Sequence, residues 1–284
     1  MIEKIIEDFL AHLKNIDSAE TTVRSYRSDL KKFIRWSPET SLESIGPLDV
    51  AEFKRYLQKQ GQKPATINRA LATLSTFFDW AVDKGLIENN PASNVKYVKE
   101  VETAPKSLFR REQLALMRAV HQGEKLRDIA IITFLLHTGL RVSEMCRLTM
   151  DDIIMKERSG SVTATGKGNK QRKVPLNVTV RNALVKWFRV RGHEPGPLFL
   201  SQKGRGISPR SVERLVKKYS YHAHLDGVTP HILRHTFCKS LIDAGVSIDR
   251  VAVLAGHESL NTTARYTRPT QVDLQKAVEK LAWE

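Results

Sequence analysis

The sequence predicts a mainly α-helical chain: an all-α four-helix N-terminal domain, then a mostly helical C-terminal domain with a small antiparallel β-sheet. Three observations lead there. Apolar residues recur at helical spacing through most of the 284 residues. Two short segments alternate instead. A stretch at 89–107, containing Pro91, Pro105 and mixed charges, has no periodicity and parts the two regions. This length suits two compact domains, each able to bury a core.

Residues 2–13 place Ile2, Ile5, Ile6, Phe9, Leu10 and Leu13 on one helical face, and 21–36 repeat the pattern with Val23, Tyr26, Leu30, Phe33 and Ile34. Pro47 opens a third helix carrying Val50, Phe53, Tyr56 and Leu57, which Gly61 ends. Pro64 opens a fourth with Ile67, Leu71, Leu74, Phe77, Phe78 and Ala81, closed near Gly85. Short loops between such helices make a small bundle. The domains are placed at 1–95 and 108–284, with a linker at 96–107. Helices are expected next at 111–121 and 125–138, with a short one starting at Arg141. Residues 161–165 and 172–176 read as two strands around a turn at 166–171. Further helices are expected at about 178–191, 208–223, 230–244, 247–255, 261–267 and 271–282.

Composition narrows the class. The net charge of +15 is uneven: residues 1–105 hold 15 basic and 15 acidic side chains, whereas 106–284 hold 31 and 16. An excess confined to one domain marks a polyanion partner. Nucleic acid is favoured over membrane, because no basic amphipathic helix carries a strong Trp/Phe/Leu face. The longest apolar run, 129–136, is too short to span a bilayer, and the N-terminus lacks the pattern of a signal peptide. Cys146 and Cys238 sit in helical apolar patterns and read as buried reduced thiols. A soluble cytoplasmic protein is expected.

Four clusters carry candidate chemistry. In the first, Gly139 follows an apolar helix and Arg141 starts the next, where helix N-terminal amides and a guanidinium together clamp a phosphate; Glu144 then orients Arg141. An i,i+3 surface ion pair is the plain alternative. In the second, Lys167 lies between Gly166 and Gly168 on a hairpin tip, placed to protonate a leaving oxygen, with Lys170, Arg172 and Lys173 beside it as phosphate contacts. A solvated basic turn is its alternative. In the third, Pro230 starts a helix that puts His231 and Arg234, three apart, on one face; a cap on its own helix is the alternative for His231, and His235 reads as a packed structural histidine. In the fourth, His257 follows Gly256, and Asn261 reads as the N-cap of a helix bearing Tyr266. A phenol with a pKa of about 10 is a poor nucleophile without nearby cations and donors. Tyrosine ringed by arginines and histidines suggests covalent attack on a phosphodiester.

Arg141, Lys167, His231, Arg234, His257 and Tyr266 stand in the order and at the spacings of the tyrosine recombinase (integrase) family, and nearly the whole chain resembles that family. Within it the chain is most similar to the Xer type: two domains, without the extra arm-binding domain of larger phage integrases.

The resemblance implies site-specific cutting and rejoining of duplex DNA through a 3′-phosphotyrosyl intermediate, with Tyr266 as nucleophile. Arg141 and Arg234 would hold the non-bridging oxygens, and Lys167 would protonate the 5′-oxygen. His231 would assist proton transfer from Tyr266, and His257 would hydrogen-bond the phosphate. No cofactor, neither ATP nor metal, is implied, because the phosphotyrosine conserves the bond energy. Residues 1–95 become a core-binding, SAM-like helical domain, and the two domains a C-shaped clamp on DNA. Lys63, Asn68, Arg69 and Thr73 lie off the apolar stripe of the fourth helix as groove contacts. A helix at 271–283, with Leu274, Val278 and Leu281 in an apolar stripe, would pass to a neighbouring protomer in a tetramer on two sites of paired inverted half-sites. The implied role is chromosome dimer resolution, hence chromosome partition at cell division. The alternatives are integration of a mobile element, a type IB topoisomerase-like enzyme, and a regulator that binds DNA without cleaving.

Overall fold

A computed structural model describes residues 2–16, 18–37, 41–100, 104–268, 274–275 and 278–279, with the backbone alone for Lys167. The chain divides into two compact units, Met1–Glu102 and Thr103–Glu284.

The first unit holds α1 (Ile2–Asn15), α2 (Glu20–Trp36), α3 (Pro47–Lys59) and α4 (Pro64–Asp83). Pro47 and Pro64 stand in the first helical turn, where a missing N–H costs nothing. The Asp49 carboxylate accepts from the Gly46 N–H at 2.8 Å and satisfies an orphan donor at the α3 start. Phe9, Phe33, Phe53, Phe77 and Phe78 are all but fully buried and meet edge-on, with Phe9–Phe77 centroids 5.4 Å apart. Among the described residues of this core one carboxylate is buried: Asp29 accepts from Arg69 at 2.9 Å and from the Thr73 hydroxyl at 3.3 Å.

The aperiodic segment after α4 is packed on this unit as far as Glu100. Asn90 Nδ2 donates to Ser75 O at 3.1 Å and Asp79 Oδ1 at 2.7 Å, and Ala92 is buried in the helical core. Asn68 holds the Val98 backbone on both sides, donating to its carbonyl (2.9 Å) and accepting from its N–H (2.8 Å). Side-chain amides, which leave no hydrophobic period, hold this stretch in place together with buried Ala92 and half-buried Val95 and Val98.

The second unit begins with α5 (Arg110–Gln122), α6 (Leu126–Thr138) and α7 (Val142–Arg147). Helix α6 is buried along nearly its whole length, with apolar residues from Ile129 to Leu136 broken only by Thr133, and is packed by α5, α8 (Val178–Arg191) and α10 (Pro230–Asp243). The sheet has three antiparallel strands in the order β1 (Ile153–Met155), β2 (Gly160–Thr165), β3 (Gln171–Pro175). Val162 is paired with Ile153 on one side and Val174 on the other. The sequence predicts only the last two strands, because three residues are too few to show alternation. Helices α9 (Pro209–His222), α11 (Ile248–Ala255) and α12 (Leu260–Ala264) complete the unit, and α12 runs into a 3₁₀ turn at Arg265–Thr267. Ser259, not Asn261, caps α12: its hydroxyl accepts from the Asn261 N–H at 3.2 Å. The helix expected at 271–283 lies outside the described residues except for 274–275 and 278–279, where Leu274 and Val278 are exposed.

Candidate active site

Five pieces of backbone bring the site together within the second unit, and a glycine or proline marks four of them. The α6 terminus turns at Gly139 in the left-handed region (φ 62°), and a Cβ there would lie 2.2 Å from the Phe237 ring. Only glycine lets the chain pass α10 so closely. That turn delivers Arg141 to the N-cap of α7. The β2–β3 hairpin supplies Arg172, Pro230 starts the helix that carries His231, Arg234 and His235, and Gly256 (φ 69°) ends α11 ahead of His257. A Cβ on Gly256 would meet the Arg172 guanidinium at 2.7 Å. The 3₁₀ turn after α12 carries Tyr266.

One half of the site is ionic. Glu144, 3% exposed, accepts from two guanidiniums: Arg141 Nη1 at 2.8 Å, and Arg172 Nη1 and Nη2 at 3.1 and 2.7 Å. The Arg141 N–H also donates to it at 2.8 Å. Both arginines then reach the α11 terminus, Arg141 to Gly256 O at 3.0 Å and Arg172 to Leu254 O at 3.1 Å. Burial alone would raise the Glu144 carboxyl, but the hydrogen bonds from Arg172 and Arg141 outweigh it and bring the pKa down to about 2. Arg234 is buried and donates to Gly139 O at 2.6 Å. Burial, with repulsion from Arg141, brings its pKa down to about 10, so it stays charged at neutral pH.

The other half is neutral. Tyr266 is 3% exposed in a cluster with Phe237, Cys238, Val251 and Ala255. Its hydroxyl lies 2.6 Å from His235 Nδ1, and the His257 ring stacks on its ring at 6.1 Å and 12°. The Nδ1 of His257 is bonded to the Thr263 hydroxyl at 2.8 Å, which sets the imidazole's orientation. Burial raises the Tyr266 phenol above its ordinary value, with the neighbouring Cys238 adding to the rise. Burial also lowers His235 to about 4, helped by His231, Arg234 and Arg265, and His257 to about 4, helped by Arg234 and Arg141.

The structure thus gathers Arg141, Arg234, His257 and Tyr266, and adds His235 and Arg172, which the sequence places differently. His235 contacts the phenol rather than packing as a structural residue. His231, expected at that proton, is exposed, with its ring 6.4 Å from that of His235. Arg172 is largely buried against Glu144 rather than presented to solvent as a phosphate contact; its strand neighbours in sequence, Lys173 and, just before the strand, Lys170, are exposed. Alternation along β3 is the signal that separates Arg172 from Lys173. Lys167 sits in the 3₁₀ turn Lys167–Asn169 at the hairpin tip, where a Cβ on the adjacent Gly166 would come within 3.5 Å of Glu144 Oε1.

In the first unit, Lys63 is exposed at the start of α4. Arg69 pairs with Asp29, Asn68 is occupied by Val98 and Glu100, and Thr73 is fully buried. Thr73 is therefore no groove contact. It lies off the leucine stripe but faces Asp29, a buried polar partner that makes a polar residue fit the interior.

Comparison with known proteins fits this architecture. Residues 106–272 match the phage integrase family, and residues 6–85 match its N-terminal SAM-like domain. The chain belongs to the phage integrase family. As a tyrosine recombinase it breaks and rejoins DNA. It is 33% identical to tyrosine recombinase XerC of Thermodesulfovibrio yellowstonii (strain ATCC 51303 / DSM 11347 / YP87), covering 96% of this chain and 93% of that one. It is 30% identical to the TnP I resolvase of Bacillus thuringiensis, covering 98% and 99%. The fold is shared with XerH site-specific recombinase bound to a palindromic difH substrate in a post-cleavage complex (TM-score 0.80, 23% identity, 96% of this chain and 83% of that one). Among the described residues of this recombinase, no helix is long and apolar enough to cross a membrane.

Proposed function

We propose that this recombinase is Xer-like: it acts at paired inverted half-sites on duplex DNA and resolves chromosome dimers in the cytoplasm. Its resemblance to XerC proteins over nearly their whole length supports the role. The observation that carries the chemistry is the burial of Tyr266 between two imidazoles beside a cluster of three arginines. Tyr266 attacks the scissile phosphorus, a 3′-phosphotyrosyl bond forms, and the 5′-oxygen leaves. Arg141 and Arg234 stabilise the charge that builds on the non-bridging oxygens, and their fixed orientation lowers the cost of reorganisation. Lys167 is the general acid for the 5′-oxygen, His231 assists the proton transfer from Tyr266, and His257 hydrogen-bonds the phosphate. Lys63, Lys170 and Lys173 are exposed and suit backbone contacts. A tetramer on two sites, linked by the helix at 271–283, completes the reading.

The resolvase relative supports a second role in a mobile element with the same chemistry. Recombination of two sites on one plasmid separates either role from relaxation by a topoisomerase-like enzyme, which changes linking number without excising DNA. The decisive substitution is Tyr266→Phe, which removes one oxygen and leaves the cations in place. It is expected to abolish the covalent protein–DNA adduct on denaturing gels while duplex binding stays within about two-fold. An adduct persisting in the variant sinks the assignment.

A further inference from the structure

We propose that His235 is a catalytic residue, whose Nδ1 takes the phenolic proton of Tyr266 as the tyrosine oxygen attacks phosphorus. The proposal rests on the reading of Tyr266 as nucleophile and assigns a destination for its proton. The contact is direct: Nδ1 lies 2.6 Å from the phenolic oxygen, at the short end of an O–H···N hydrogen bond. His231, one helical turn earlier, is exposed. The tyrosine ring is fixed by Phe237, Val251 and Ala255, and the His257 ring stacks on it. Its hydroxyl is therefore held over the turn of α10 that carries His235 and Cys238.

Burial makes the order of events matter. A free phenolate in this pocket is costly, as the raised Tyr266 value shows. The proton therefore leaves as the new bond forms, and it needs a neutral acceptor already in place. Burial first, and then His231 and Arg234 on its own helix and Arg265 on the 3₁₀ turn, keep His235 neutral, and His257 after α11 faces it across the Tyr266 ring. When the phosphodiester enters, its negative charge offsets the two guanidiniums, Arg234 and Arg265, and raises the proton affinity of the imidazole. The balance is complete. The Tyr266 oxygen–phosphorus bond forms, the phosphorus–O5′ bond breaks, and the 5′-oxygen takes a proton from its own donor. The phenolic proton rests on His235 and returns to Tyr266 when the 5′-hydroxyl reseals the strand.

Two measurements test this. In the free full-length protein, long-range proton–nitrogen NMR reads the His235 tautomer at neutral pH. A protonated Nε2 with an unprotonated, accepting Nδ1 is expected, and a protonated Nδ1 overturns the proposal. For kinetics, the probe is a nicked duplex carrying the site recovered by covalent trapping of the wild-type protein on genomic DNA. His235→Asn puts a polar atom near the position of Nδ1 and cannot carry the proton. Adduct formation at saturating protein is expected to slow by about 10²-fold or more, with half-site binding within about two-fold. Its rate should climb with pH, where the wild type levels off once His235 is neutral. A His235→Asn rate within about three-fold of wild type, or an unchanged pH profile, overturns the proposal. If Tyr266→Phe is inert in the same assay, that failure belongs to His235 alone. If Tyr266→Phe still forms the adduct, the parent reading has failed instead.

Discussion

The ionic and neutral halves of the site are both buried, yet they hold opposite charge states. Glu144 stays ionised down to about pH 2 because two guanidiniums and a backbone N–H point at it. His235 and His257 stay neutral down to about pH 4 because burial removes water, and the nearby charges are cations. Burial penalises charge in both places; what differs is whether a counter-charge is built in. The division suits the chemistry. A phosphate arriving as an anion needs fixed positive charge on one side, and on the other a phenol and a base that exchange a proton without opposing those cations.

Arg141→Ala puts the greatest strain on this contrast. Arg141 joins the halves, since it donates to Glu144 and its charge helps hold His257 down. Its loss is expected to slow adduct formation by on the order of 10³-fold, and to raise the His257 pKa above about 4 by NMR titration. Cleavage within ten-fold of wild type would mean that the ionic half does not carry the phosphate charge.

Glu144→Gln is expected to have the next largest effect, on stability as well as rate. The folded pKa lies below the unfolded one, so the carboxylate's contribution is fully present above about 4.5 and is lost as pH falls through about 2. Removing the charge leaves Arg141 and Arg172 facing each other with no carboxylate between them. A loss on the order of 2 kcal/mol near pH 7 is expected, with a flatter decline than wild type between pH 4.5 and 2 in denaturant titrations. Matching acid limbs in the two proteins would show that Glu144 is not the ionised hub of that half.

How far the site could be read from the sequence follows the same division. Arg141, Arg234 and His257 stand beside Gly139, Pro230 and Gly256, so helix punctuation exposes them without knowledge of the fold. The helical pattern of both units is legible for the same local reason. His235 is not, because its partner Tyr266 lies 31 positions away and only tertiary packing brings them together. Arg172 is hidden in a basic run, where composition looks uniform while the strand turns alternate residues inward and outward. The segment up to Glu100 reads as linker because what binds it, the side-chain amides of Asn68 and Asn90 with scattered apolar contacts of Ala92, Val95 and Val98, follows no helical or strand period. Side-chain hydrogen bonds over long sequence separations leave no period to detect.

The smallest expected effect comes from a residue outside both halves, and it sharpens the contrast by serving as a control. Lys63 is exposed at the start of α4, whereas Arg69 pairs with buried Asp29 and Asn68 is bound to the Val98 backbone. Of these three, Lys63 can be changed without disturbing the core. The first unit carries no net charge over residues 1–105, so the basic second unit supplies most of the non-specific attraction. A single exposed lysine then contributes one phosphate contact at most. Lys63→Ala is expected to weaken duplex binding by about two- to three-fold near physiological salt and to reduce the salt slope by about one. The rate of adduct formation at saturating protein should not move, because that rate is set where Tyr266, its imidazoles and the arginines meet. A fall in the saturating rate would show that the first unit takes part in the chemical step, and the two halves of the site would no longer account for it.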